Sequence, residues 1–118
     1  MEVRTKRVYE DPAPGDGARV LVDCLWPRGV SKDEAALDNW AKSVAPTDEL
    51  HEHFDHDPER WAAFQREYRA ELDDERGELR SEVLEYADDE TLTLVWAASD
   101  ETHNNAVVLA AFLREELL

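Results

Sequence analysis

The chain has 118 residues, 29 of them acidic and 13 basic, for a net charge of −16. That length makes one domain, residues 1–118, able to bury roughly two-thirds of its unfolded surface without a metal or a disulfide. A single cysteine excludes an intrachain disulfide, no apolar run approaches the ~20 residues of a membrane span, and so acidic a surface makes nucleic acid a poor partner.

Val3 to Tyr9 alternates as a strand does, with Val3, Thr5, Arg7 and Tyr9 on one face. Residues 10–17 are turn chemistry throughout, and Ala18 to Asp23 reads as a second strand, β-branched and too short for a helix. So short a link predicts an antiparallel pair, since parallel strands ordinarily need a crossover of a dozen residues or more. A Trp26-Pro27-Arg28-Gly29 turn follows, in which Pro27 drives Trp26 to an extended conformation and Gly29 lets the chain reverse. Ser31-Lys32-Asp33-Glu34 is a capping box, predicting a helix with Leu37, Trp40, Ala41 and Val44 on one face that ends before Pro46.

Thr47 caps a short helix, Asp48 to Phe54. Asp57-Pro58 starts another, on which Trp61, Phe64, Tyr68 and Leu72 form an aromatic stripe better read as core than as a cofactor box. Gly77 interrupts, and Leu79, Val83, Leu84 and Ala87 continue as an amphipathic helix to about Asp88. Thr91 to Ala98 is the third strand, residues 99–105 are a turn, and Ala106 to Leu117 is a last helix apolar enough to be largely buried. Three strands and about five helices make an α/β domain.

In an open α/β sheet, ligands sit beyond the carboxyl ends of strands. That places Asp23 and Arg28 at a candidate site with Ser99, Asp100, His103 and Asn104. The amides and dipole at the start of the last helix suit an anion, and Arg28 can grip phosphate or carboxylate with two prongs. His103 is the acid or base such a site would use, with Asp23 or Asp100 orienting it. The structural alternative has Asp23 capping the turn, Arg28 paired with Asp23 or Asp100, and His103 on the surface. Charge is uneven in a way that suits an anion: residues 1–30 are net neutral and residues 31–118 carry the whole −16.

A small anionic molecule is therefore the expected partner, bound in a protein that is either a carrier or an enzyme, with no cofactor and no membrane. The second reading is a non-enzymatic interaction module, marked by an apolar patch around Trp26 or Trp40, with the oligomeric state left open. A third, a metal-dependent hydrolase, rests on His51, His53 and His56 beside Glu52, Asp55 and Asp57. Against it, His51 and His53 are two apart on a helix and face different sides, so no metal site is expected. Cys24 has no base beside it in sequence and alternates away from Asp23, which predicts packing rather than nucleophilic chemistry.

The run from Val20 to Lys32, with its Leu25-Trp26-Pro27-Arg28-Gly29 block, and the later blocks Phe54-Asp55-His56-Asp57-Pro58 and His103-Asn104 resemble the bacterial and archaeal YeaO-like proteins. These belong to a broader domain-of-unknown-function family, and the likeness runs nearly the whole length of the chain. It implies a small three-layer domain with a largely parallel or mixed sheet, against the antiparallel pair expected above. It also carries the family signature onto Asp23, Trp26, Pro27, Arg28, Gly29, His103 and Asn104. Two departures stand out: Cys24 replaces a usual arginine, and 97–99 and 102–104 lack the cysteines of the broader family's Cys-Ala-Glu and Cys-His-Arg. Thiol chemistry does not transfer to this chain.

The acid surplus is spread over helices rather than gathered in a tail, and ten of the thirteen basic residues are arginines. Such self-repulsion is tolerated when salt screens it, which predicts a salt-loving organism with a molar-salt cytoplasm rather than an ordinary acidic bacterial protein. The amino terminus lacks the apolar middle of a signal peptide, so a cytoplasmic location is expected. Thermal melts in dilute and in molar KCl test the charge argument: the midpoint is expected to rise by several degrees with salt, and a flat response would discard it.

Overall fold

The computed structural model describes residues 1–87 and 90–118. Four parallel strands, β1 (Glu2–Arg7), β2 (Ala18–Leu21), β3 (Asn39–Trp40) and β4 (Thr91–Trp96), form one sheet in the order β1-β4-β2-β3. The last long strand is thus inserted between the first two, pairing Val3 with Leu92 on one side and Val20 with Leu94 on the other. β1 and β2 are not an antiparallel hairpin, and the sheet has one strand more than expected.

The ten-residue link can join parallel strands because extended chain covers about 3.3 Å per residue, or roughly 33 Å. Running back along β1 and crossing two strand widths needs about 27 Å. The link is held against the sheet by Arg4, which donates to the Gly15 carbonyl (3.0 Å), and by Lys6, paired with Asp16 (3.2 Å). It enters β2 through Gly17 at φ +63°, where a Cβ would sit 2.2 Å from the Thr91 carbonyl oxygen. β1 itself stops at Arg7, two residues short of Tyr9, and β2 stops at Leu21.

The capping box at Ser31 forms with both of its bonds, yet the helix it opens, α1 (Lys32–Ala35), lasts one turn. Buried Arg19 is the reason. Its guanidinium takes the carbonyls of Ala35 (2.9 and 3.2 Å) and Ala36 (3.2 Å), which a longer helix would give to its own amides. Ala36 turns left-handed (φ 47°), Asp38 exchanges bonds with the Arg19 backbone, and the chain joins the sheet as β3. The apolar set expected on one helical face is therefore divided: Leu37 and Trp40 pack on one face of the sheet, Ala41 and Val44 on the other.

The larger core lies between the sheet and α2 (Asp48–Phe54), α3 (Trp61–Asp74), α4 (Arg76–Glu82) and α5 (Asn105–Phe112). Along β4, Leu92, Leu94 and Trp96 point into it, while Val95 joins Val8, Leu21 and Ala35 in a smaller core on the opposite face. The stripe on α3 packs as core: Phe64, Tyr68 and Leu72 are buried, and the Tyr68 hydroxyl donates to the Val44 carbonyl (2.6 Å). Thr47 caps α2, Asp57 caps a 3-10 turn that leads into α3, and α5 continues as a π-helical turn over Leu113–Leu117. Gly77 lies inside α4 rather than at a break, and α4 ends at Glu82, short of the expected limit; Asp88 lies outside the described residues.

The break falls at Glu75, between α3 and α4. Its Oε2 is buried without a hydrogen-bond partner among the described residues, and burial, with Glu71, Glu78 and Asp74 nearby, pushes its carboxyl up to about 7. A raised acid favours folding while protonated, so its contribution is complete below the ordinary carboxylate range and is lost as pH rises through about 7. Because the side chain is partly in solvent, screening leaves about 1 kcal/mol. Glu75→Gln is expected to raise the melting midpoint by a few degrees at about pH 8 and to leave it unchanged at about pH 5. An equal effect at both would discard this account.

Candidate functional site

Because β2 and β4 are adjacent and parallel, their carboxyl ends open side by side. Asp23 joins them. One carboxylate oxygen accepts the Ala97 amide just past β4 (2.9 Å), and the other accepts the Asn105 side-chain amide at the start of α5 (3.1 Å). Asn105 also donates to the Val22 carbonyl (2.8 Å), and the Trp40 indole donates to the Asp23 carbonyl (2.7 Å). Burial pushes the Asp23 carboxyl up, while the bonds from Asn105 and Ala97 and the nearby His51 pull it part of the way back.

The turn after Asp23 is held by its tryptophan. The Trp26 indole donates to the Val30 carbonyl (2.7 Å) and meets Trp40 edge to face at 5.5 Å. Gly29 adopts φ +73°, the reversal that glycine was expected to supply. Tyr9 donates its hydroxyl to the Arg28 carbonyl (3.1 Å), while the exposed Arg28 guanidinium makes no ion pair among the described residues. The apolar patch expected around Trp26 and Trp40 is thus half-buried, with both indole N–H groups committed to backbone.

Across the site, Asp100 wraps the approach to α5. Its carboxylate accepts the amides of His103 and Thr102 (both 2.9 Å), which hold it well below the usual carboxylate range. Its other oxygen lies 3.0 Å from His103 Nδ1. An ionised carboxylate can only accept, so the shared proton sits on Nδ1 and Nε2 is the open nitrogen. Trp61 meets the imidazole edge to face at 5.1 Å. Buried Asn104 is a helix cap: its side chain accepts the Val107 amide (3.0 Å) and donates to the Asp100 carbonyl (2.9 Å). The amides of Thr102, His103 and Val107 are therefore already taken by protein acceptors.

Between these walls lies a cleft of about 330 Å³. Of the residues singled out in the sequence, Asp23, Trp26, Arg28, His103 and Asn104 line it; Gly29, Ser99 and Asp100 stand behind it. The lining also takes in Tyr9, Phe54, Phe64, Asn105, His51 and His56, none of them placed there from sequence. The signal for the two histidines was the run from His51 to Asp57, but only the fold aims it. Asp55 and His56 are both left-handed (φ 47° and 53°), which folds His56 back to 5.5 Å from His51. His53 faces a separate groove with Glu67 and Glu71. Among the described residues no group of three or more His, Cys, Asp or Glu is arranged to hold a metal ion. Half-exposed Cys24 lines the cleft beside Asp23.

The family model described as the inactive DUF488-N3 subclade matches residues 2–118. The chain belongs to that family. It is 40% identical over 114 residues to the uncharacterized protein YeaO of Escherichia coli, covering 97% of this chain and 98% of that protein. It is 41% identical over 111 residues to uncharacterized proteins of Mycobacterium bovis and Mycobacterium tuberculosis, covering 94% of this chain and 92% of theirs. The YeaO-like resemblance seen in the sequence is thus shown. No solved structure matches the chain.

Removing the Asp23 carboxylate leaves two inward-facing donors, the Ala97 amide and the Asn105 side chain, without their acceptor. Asp23→Ala is expected to destabilise the protein by about 2–4 kcal/mol in urea unfolding, and Asp23→Asn, which keeps one acceptor, by less. A neutral effect for both would remove Asp23 from this structural role.

Proposed function

We propose that the cleft binds a small anionic ligand, with Arg28 contacting its charge and His103, His51 and His56 lining the rest of the rim. The observation that carries this reading is the composition of the lining. In a chain with 29 acidic residues among 118, one lining residue of 17 is acidic, Asp23, where the average would place about four. Facing it are Arg28 and three of the chain's four histidines. An exposed arginine with no ion-pair partner among the described residues, on a wall with a single carboxylate, is a binding surface for phosphate or carboxylate.

Binding without turnover is the first form of the proposal. The matched family is described as inactive, and Ala97 and Thr102 stand where the broader family's cysteines fall. Acid–base chemistry is the second form, supported by the His103–Asp100 pair, which leaves Nε2 open in the manner of a histidine oriented by a carboxylate. His103→Gln separates them: binding without turnover keeps its response in reduced form, and catalysis loses turnover altogether.

Thermal melts against phosphate, nucleotides, carboxylates and divalent metals test the site. A ligand at ~100 times its dissociation constant adds about 2.7 kcal/mol, a rise of several degrees for a domain of this size. One anion class is expected to give that rise in the parent protein and to lose it in Arg28→Ala and His103→Ala. Responses left intact in both variants would sink the anion site.

A further inference from the structure

We propose that the ligand is an amphipathic organic acid, an apolar and preferably flat body carrying one carboxylate or phosphate head, rather than a bare inorganic anion. This rests on the anion-binding reading above and adds the other half of the ligand. The cleft that holds Arg28 and the three histidines also gathers exposed apolar groups. Among the described residues the exposed large hydrophobics are Met1, Tyr9, Leu25, Tyr86 and Leu118. Two of these are chain ends, and of the other three, Tyr9 and Leu25 both line this cleft. Leu25 is 74% exposed, the most open of the five. An isolated exposed leucine needs no explanation, but one on the rim of a concave, aromatic-walled cleft is a surface waiting to be covered.

The interior of the cleft has the same character. Phe54 and Phe64 lie at its base with ring centroids 4.6 Å apart, and Trp26 stands in its wall, held by its indole bond to Val30. Arg28 follows Leu25 by three residues in the same turn, and Tyr9 is tied to that turn through the Arg28 carbonyl. A head group on Arg28 therefore places the rest of a ligand against Tyr9, Leu25 and Trp26. A volume of about 330 Å³ lies at the lower end of small-molecule sites, which run from about 300 to 1,000 Å³. It admits a single ring or a short chain beyond the head. Bare phosphate or acetate would leave Leu25 and the aromatic wall in water.

Calorimetric titrations of the full chain with five probes separate this inference from the reading it rests on: benzoate against acetate, phenyl phosphate against inorganic phosphate, and benzyl alcohol as the uncharged body. Either aromatic acid is expected to bind at least tenfold tighter than its small counterpart and at least tenfold tighter than benzyl alcohol. The pair that responds identifies the head as carboxylate or phosphate. Leu25→Ser, at an exposed position that carries no fold, is expected to narrow the aromatic-over-small ratio. Arg28→Gln is expected to narrow the ratio of aromatic acid to benzyl alcohol. Small and aromatic acids binding equally would overturn the amphipathic ligand and leave the anion site standing. Benzyl alcohol binding as tightly as benzoate, with Arg28→Gln inert, would overturn the anion reading and this inference with it; so would no binding by any probe.

Discussion

The structure turns on the carboxylate of Asp23. It lies where two parallel strands end together, and it accepts one hydrogen bond from the segment leaving β4 and another from the first residue of α5. Its backbone carbonyl meanwhile receives the indole of Trp40 from the edge strand. One residue thereby registers β2, β3, β4 and α5 against each other. Burying an acid is unfavourable, which is why its carboxyl is pushed up, and two directed donors offset part of that penalty. The same junction forms the end of the cleft, so the group that holds the fold together is also exposed to whatever the cleft binds.

A second buried charge does comparable work at the other end of the same strand. Arg19 is buried, paired with buried Asp16 (2.6 Å), and holds the carbonyls that end α1. Burial pushes Asp16 up, but bonds from the Ala13 amide, Lys6 and Arg19 outweigh it and leave the carboxyl below its ordinary value. Thr93 on β4 donates to the Asp16 carbonyl (2.6 Å), drawing the β1–β2 link onto the central strand. Both charges are fully engaged by the protein. Arg28, by contrast, has no ion-pair partner among the described residues, and it lines a cleft in which Asp23 is the single acidic residue.

How legible the protein was from its residues depended on the range of each signal. The helix starts at Ser31, Thr47 and Asp57 were legible because a cap needs only the two or three residues that follow it. The α/β class was legible, as were the apolar strand from Thr91 and the buried last helix. The candidate site was half legible: Asp23, Arg28, His103 and Asn104 came from the rule that ligands gather at strand ends, Trp26 from the family resemblance, and these five line the cleft. His51 and His56 were visible as a cluster but not as part of this cleft. Their direction depends on two left-handed residues and on where α2 docks.

Taken alone, the sequence determined the local pieces: the three longer strands, where helices begin, that a tryptophan-proline-arginine-glycine turn follows an aspartate, and that the chain carries a large negative charge. Tertiary structure alone decided how those pieces are ordered. β4 lies between β1 and β2 because its alternating faces have apolar partners on both sides, a long-range fact that no window of residues carries. The helix expected from Ser31 to Val44 became one turn and an edge strand because Arg19, more than a dozen residues away, competes for its carbonyls. The cleft follows from that ordering. Its lining comes from stretches far apart in the chain, among them Tyr9, the turn after Asp23, the run from His51 to His56 and the approach to α5, and only packing against a common core brings them together.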